Sequence, residues 1–318
     1  MNQLFDSLLF SLAITGPICI LLLLGIVLRK SSMMNEGFID GASRLVFNIT
    51  LPLLLFTSIA QTNFSQMANP RLILYGICAT LIAFLILECL ANYITPHKNQ
   101  RGIIVQGAFR ANMAIVGLAY VNNAYGSQGI AAAAMYVACL TILFNILAVI
   151  TLSRSLNQGD SLRPSKVILG IIKNPLIIGI TAALPFAAYN WSLPSTLLQT
   201  GQYLAQLTLP LALLCTGASL SLKGQNQESA VLPLVALLRL IIIPACFTLG
   251  GYWLGFRDQE LAILFLINAS PTAAASYVMV RAMGGNGVLA ANIIAITTLG
   301  SLVTTSVGAT LLKNLGWL

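Results

Sequence analysis

The chain repeats itself. The tetrapeptide Thr50-Leu51-Pro52-Leu53 returns as Thr208-Leu209-Pro210-Leu211, 158 residues later. Pro17 recurs at the same offset as Pro175. Gly126-x-x-Gly129-x-x-Ala132-Ala133 recurs as Gly284-x-x-Gly287-x-x-Ala290-Ala291. Three matches on one register, spread over most of each half, point to an internal duplication. If each half crosses a membrane an odd number of times, the halves face opposite ways. Inverted repeats of this kind build secondary transporters, with the substrate site where the halves meet.

Composition supplies the membrane. Of 318 residues, 58% are hydrophobic and 8% charged, against about 25% charged in soluble proteins. Apolar runs long enough to span a bilayer cover about 7–28, 38–60, 71–94, 102–122, 129–152, 167–188, 197–220, 230–255, 260–282 and 287–312. Lipid offers the backbone no hydrogen-bond partners, so these runs form helices. The expected fold class is all-α integral membrane: ten transmembrane helices as two inverted five-helix repeats. Residues 1–155 form the first repeat, 156–166 a cytoplasmic linker within the hydrophilic stretch Ser153 to Lys166, and 167–318 the second repeat. The first run is too long for a signal peptide and ends at Arg29-Lys30, a span boundary. All six cysteines lie in apolar runs and read as small core hydrophobes, with no disulfide framework.

The net charge of +8 reads as topology and not as a nucleic-acid surface. With ten spans, Arg29, Lys30, Arg44, Lys98, Arg101, Arg154, Arg163, Lys166, Lys173, Lys223 and Arg281 fall on one side; Arg71, Arg257 and Lys313 fall on the other. Lysine and arginine mark the cytoplasmic side. The expectation is a multi-pass protein of the plasma (inner) membrane with both termini extracytoplasmic.

Two spans carry matched interruptions. Span four contains Arg110-Ala111-Asn112 and Gly117; span nine contains Asn268-Ala269-Ser270-Pro271-Thr272. Asn112 and Ser270 stand on the repeat register, and both are good N-cap residues. Pro271 suits the first helical position. The sequence thus predicts helices that restart at Asn112 and at Ser270. A restart exposes unpaired N–H groups and a partial positive charge at mid-membrane, and two such ends facing each other make an anion site. Pro52 and Pro210 form a second matched pair, read with Gly117 as hinge or kink positions.

Few ionisable groups lie in spans. Arg110 borders the first break; an arginine there costs about 2.5–3.5 kcal/mol on insertion scales and marks a pathway or an ion pair. Glu88 is the carboxylate of span three, with Arg110 or Arg239 as candidate partners and proton relay as an alternative role. Arg239 in span eight reads as a structural partner, while Arg281 snorkels to an interface. Asn48 and Tyr120 are cavity or packing groups. His97, the single histidine, sits in a loop, which excludes His-based metal clusters and disfavours a membrane Ser–His dyad. No Gly-Lys-Ser/Thr phosphate loop occurs. No cofactor or metal is expected, and the coupling ion stays open between proton, sodium and none.

Several segments carry a family resemblance: Leu45 to Pro52, Arg110-Ala111-Asn112 with Gly117-Leu118, Lys173-Asn174-Pro175, Leu209-Pro210-Leu211 with Gly217 to Leu220, and Ala269-Ser270-Pro271. In order and spacing the chain resembles the auxin efflux carrier family, bacterial branch, over its full length. The resemblance implies a fold similar to the bile acid sodium symporters, with the broken helices of spans four and nine crossing at the site. It also implies a scaffold of spans 1, 2, 6 and 7, usually dimeric, and a transport domain of spans 3–5 and 8–10 that moves as an elevator. Family substrates include auxin, malate and malonate-type carboxylates. One departure is that span four lacks the proline that plant members carry at the crossing.

The reading from sequence is a carrier of small organic anions, not an enzyme, with lipid and a second copy of itself as partners. Asn112, Arg110, Asn268, Ser270, Pro271 and Thr272 are its substrate-binding candidates. A cation/proton antiporter and a ligand sensor without flux are the rivals.

Overall fold

A computed structural model describes residues 2–61, 69–156, 172–220 and 228–317. Apart from Leu156, the linker expected at 156–166 lies outside the described residues. Among those described, the chain is helical throughout, with one isolated backbone bridge and no strand. The helices are α1 (Asn2–Lys30), α2 (Glu36–Leu45), α3 (Leu51–Ala60), α4 (Pro70–Ile94), α5 (Lys98–Phe109), α6 (Leu118–Leu156) and α7 (Pro175–Tyr189). They continue as α8 (Ser195–Gln206), α9 (Thr208–Ala218), α10 (Glu228–Leu237), α11 (Ile243–Trp253), α12 (Asp258–Asn268), α13 (Ala275–Ala282) and α14 (Gly287–Asn314).

Five continuous stretches are long and apolar enough to cross a membrane: Glu36–Ala60, Pro70–Ile94, Ala132–Leu156, Val231–Trp253 and Gly287–Asn314. The side chains of α4 show what surrounds them. Leu74, Ile82, Leu85 and Ile86 are all more than half exposed, a face that water would not tolerate and lipid does. Asn35, Asn69, Asn174 and Asn286 cap helix starts, each accepting from a backbone N–H of the first turn.

Prolines explain where the helices deform. A proline lacks an N–H and its ring presses on the carbonyl four residues back. Two residues ahead of Pro52 the chain widens into a π turn, Val46–Thr50. Two residues ahead of Pro244 it does so again, Leu238–Ile242. Ahead of Pro210 the helix is interrupted at Leu207, between α8 and α9. Pro52 and Pro210, the matched pair of the repeat, thus each follow an irregular turn, as Pro244 does.

The 158-residue register is visible in the backbone. Gly126 breaks α6 at φ 61°, and Gly284 follows α13 at φ 79°. Both occupy left-handed conformations that favour glycine. α1 packs along α9 and α3 along α7. Gly25 and Gly217 face each other's helix backbone so closely that an added Cβ on either would collide with it. The most buried segments are α5 and α12: Gly102 to Phe109 and Leu261 to Asn268 have no exposed residue. Both end in the middle of the molecule.

Candidate functional site

The chain breaks after α5 as its sequence implies. Arg110 (φ −83°, ψ 91°) and Asn112 (φ −82°, ψ 61°) leave the helical region, and helix resumes as a π turn over Met113–Gly117. Asn112 holds the N-cap position, but its side chain caps nothing; its carbonyl accepts the N–H groups of Val116 and Gly117, both at 3.1 Å. Gly117 packs against Ile267 of α12.

The second break departs from expectation. α12 ends at Asn268, and α13 starts only at Ala275, with Ala274 at the cap. Ser270 therefore does not begin a helix. The ring of Pro271 excludes a further turn, and the Ser270 hydroxyl donates to the Ile267 carbonyl at 2.7 Å, closing the end of α12.

The two breaks pair with each other. Ala111 lies opposite Thr272 in an antiparallel bridge. The Asn112 N–H donates to the Pro271 carbonyl at 2.7 Å, and the Ala273 N–H to the Arg110 carbonyl at 3.0 Å. Breaking a helix inside a membrane frees backbone groups that no water can satisfy; here the Asn112 and Ala273 N–H groups are each met by a carbonyl of the facing break. Thr272 adds two ties behind the bridge: its hydroxyl donates to the Gly107 carbonyl at 2.7 Å, and its N–H to Thr297 Oγ1 at 3.2 Å.

A cavity of about 100 Å³ lies in front of this crossing. Arg110 to Ile115 and Ala273 to Ala275 form its floor. Leu51, Leu54 and Leu55 of α3, Thr141, Phe144 and Asn145 of α6, and Thr208, Leu209 and Ala212 of α9 form its walls. Arg110 is 4% exposed. Its guanidinium donates to Asn145 Oδ1 at 2.6 Å and approaches Met279 Sδ at 2.6 Å. No carboxylate reaches it: among the described residues the ion pairs are Arg29–Glu36, Arg154–Glu88, Arg281–Glu36 and Arg281–Asp40. The Asn112 amide lines the cavity and has no hydrogen-bond partner among the described residues. The helix starts at Met113 and Ala275 add their unpaired first N–H groups to the same floor. The combination is a buried positive charge, a free amide and two positive helix ends, with no acid to oppose them. A larger groove of about 480 Å³ between α11 and α14 has almost wholly apolar walls and offers a polar ligand little.

The remaining sequence candidates fall elsewhere. Asn268 turns away from the cavity, its amide donating to the Leu264 carbonyl at 2.9 Å and to Tyr136 Oη at 3.3 Å. Ser270, Pro271 and Thr272 build the crossing without lining the cavity. Glu88 is bonded to Thr151 and paired with Arg154 at 3.3 Å, in place of the Arg110 or Arg239 partner considered from sequence. Asn48 is exposed on the π turn ahead of Pro52. Tyr120 is fully buried beside Ser301 and Thr305. Arg239 is buried against the ends of α5 and α12. Asn145 and Thr141 are the residues that sequence reasoning missed. The signal was there: an asparagine within an apolar run, one turn after a threonine whose carbonyl takes its amide at 2.7 Å. Among the described residues no three His, Cys, Asp or Glu side chains converge as metal ligands would.

Known proteins align with this chain over most of its length. A family model described as membrane transport protein matches residues 14–308. An uncharacterised transporter of Methanothermobacter thermautotrophicus is 24% identical over 269 residues, covering 80% of this chain and 83% of that protein. A candidate malonate transporter of Rhizobium meliloti is 25% identical over 273 residues, covering 80% of this chain and 81% of that protein.

Proposed function

The chain belongs to the membrane transport protein family, the auxin efflux carrier family that its motifs resemble, and is a multi-pass membrane protein; from that premise we propose that it carries small organic anions, mono- or dicarboxylates of malonate or malate size, by elevator-type alternating access. The observation that carries this reading is Arg110: a buried guanidinium at the floor of a cavity with no carboxylate in reach among the described residues. An unpaired charge in hydrocarbon is costly, and an anionic ligand removes that cost while gaining a charge-assisted hydrogen bond. The cavity volume agrees, standing well below the roughly 300–1,000 Å³ of a pocket for drug-sized ligands.

In this reading the carboxylate lies against Arg110, the Asn112 amide and the helix starts at Met113 and Ala275. Asn145 holds the guanidinium in place. The moving body comprises spans 3–5 and 8–10, that is α4 to α6 and α10 to α14. The fixed scaffold, α1 to α3 and α7 to α9, supplies the opposite wall of the cavity through Leu51, Leu55, Thr208 and Leu209. The close packing of α1 on α9 and of α3 on α7 holds the proposed scaffold together, and α1 also packs on α14 of the moving body. The two halves are an inverted repeat of ten spans in the cytoplasmic membrane, both termini outside, and the protein works as a dimer. The pairing of Glu88 with Arg154 at the basic end of the molecule speaks against a proton-antiport role for that carboxylate.

The test is solid-supported-membrane current on purified protein in liposomes, with malonate, malate, succinate, lactate and indole-3-acetate offered in turn. A current with the small carboxylates, lost in Asn112→Ala at equal protein abundance, is expected. Folded protein that neither binds nor moves any of them would remove the anion assignment.

A further inference from the structure

A second buried arginine is untouched by the substrate reading. Arg239 lies in the π turn ahead of Pro244, with no exposed surface. Its guanidinium donates through Nη1 to the carbonyls of Phe109 at 2.9 Å and Ala108 at 3.2 Å, and through Nη2 to the carbonyl of Asn268. Those are the last carbonyls of α5 and of α12. One side chain therefore caps the C-terminal ends of both interrupted helices, on the opposite side of the breaks from the helix starts at Met113 and Ala275. Among the described residues it has no carboxylate partner and its Nε has no hydrogen-bond partner.

The charges explain why this arrangement is stable. Each helix C-terminus carries about half a negative charge. Two such ends amount to about one unit, which a single guanidinium neutralises. In carriers built on interrupted helices, half-helix C-termini and freed carbonyls are where a coupling cation is held. Here that place is filled by a cation bonded to the chain. The residue on the repeat register, Leu81, is apolar and partly exposed, so one arginine serves both ends.

We propose that Arg239 is the built-in counter-cation of the crossing. It sits where a carrier of this architecture would otherwise bind sodium, holds α5 and α12 end against end through every transport cycle, and makes the carrier independent of a sodium ion at this position. The proposal rests on the crossing geometry and the transporter family, not on which anion is carried.

The experiment follows melting of the purified protein in sodium, choline and guanidinium chlorides at equal, non-denaturing concentration, alongside malonate uptake in liposomes. Wild type is expected to melt at one temperature in sodium and in choline, and to take up malonate equally in both. Arg239→Lys, which keeps the charge, should stay closer to wild type than Arg239→Met, which keeps an unbranched stem and loses the charge. Uptake by the Met variant should fall on the order of tenfold or more, as lost hydrogen bonds to a charged group imply. Arg239→Ala should be stabilised by guanidinium in preference to choline, and its uptake should recover in a saturable way as guanidinium is added. Sodium-specific stabilisation of the wild type would overturn the proposal. So would a Met variant as stable and active as the Lys variant, or a folded Ala variant that ignores guanidinium. If the Ala variant does not fold, the Lys and Met pair decides. If malonate is not the substrate, the melting arms still read the role of Arg239.

Discussion

The hydroxyl of Thr208 donates to the hydroxyl of Thr50 at 2.9 Å, in a fully buried contact between residues 158 positions apart. That separation is the offset at which Thr-Leu-Pro-Leu recurs. Each threonine precedes its proline by two residues, and each proline deforms its helix. The two deformed helices meet through the residues that the repeat makes equivalent. A double-mutant cycle reads the contact. Thr50→Val and Thr208→Val should each destabilise by about 1 kcal/mol or somewhat more, because each leaves a buried hydroxyl unsatisfied. The double variant should cost less than the sum, as measured by melting of the purified protein. Additive effects would mean that the pair is not coupled.

Arg110→Gln should weaken anion binding by at least tenfold, since truncating a buried charged partner costs roughly 2–5 kcal/mol. Isothermal titration or the concentration dependence of uptake checks this. Arg110→Lys should recover only part of the loss, because an ammonium cannot satisfy Asn145 and a carboxylate with the geometry of a planar fork.

Asn112→Ala and Asn145→Ala should both abolish or strongly reduce uptake at unchanged membrane abundance, the first by removing the free amide and the second by releasing the Arg110 guanidinium. Ser270→Ala should retain uptake within a few-fold. Its hydroxyl only closes α12 on the Ile267 carbonyl, a local bond worth about 1 kcal/mol. Loss of transport in Ser270→Ala with retention in Asn112→Ala would invert the site.

Arg281 of α13 bonds to Asp40 and Glu36 of α2 at 2.7 Å each, and Glu36 also holds Arg29 at the end of α1. These groups are half-exposed or more on the carboxylate side, so each pair contributes at most about 1 kcal/mol. Arg281→Ala should leave the melting temperature nearly unchanged. If α2 and α13 separate during transport, the same substitution should shift the balance between inward and outward flux. A charge swap, Arg281→Asp with Asp40→Arg, should restore it. Unchanged flux ratios in all three proteins would show that this contact does not gate.

Glu88→Gln should keep both uptake and its pH profile, because the carboxylate pairs with Arg154 and Thr151 away from the cavity. A lost proton dependence in this variant would revive the antiporter reading.

How much of this was legible in the sequence differs from residue to residue. The membrane setting, the interruptions in spans four and nine and the position of Arg110 and Asn112 at the first break followed from polarity in apolar runs. The position of the second restart did not. Ser270-Pro271 resembles a cap followed by a first helical residue, yet pairing with Ala111 and Asn112 keeps the chain extended to Ala273. A long-range backbone contact overrode a local signal. Side-chain direction was equally hidden. Asn268 and Asn112 look alike as asparagines at a break, and only packing turns one toward Tyr136 and the other into the cavity. The partner of Arg239 could not be read at all, because carbonyl groups belong to every residue and leave no mark in a sequence.

The bridge between the two breaks is made of backbone alone. Its two rungs, from Asn112 to Pro271 and from Ala273 to Arg110, would form with almost any side chains at those positions other than proline at a donor. The frame of the crossing is therefore insulated from substitutions that change its lining. Asn112, Asn145 and the alanines opposite them can therefore change while the joint stays the same.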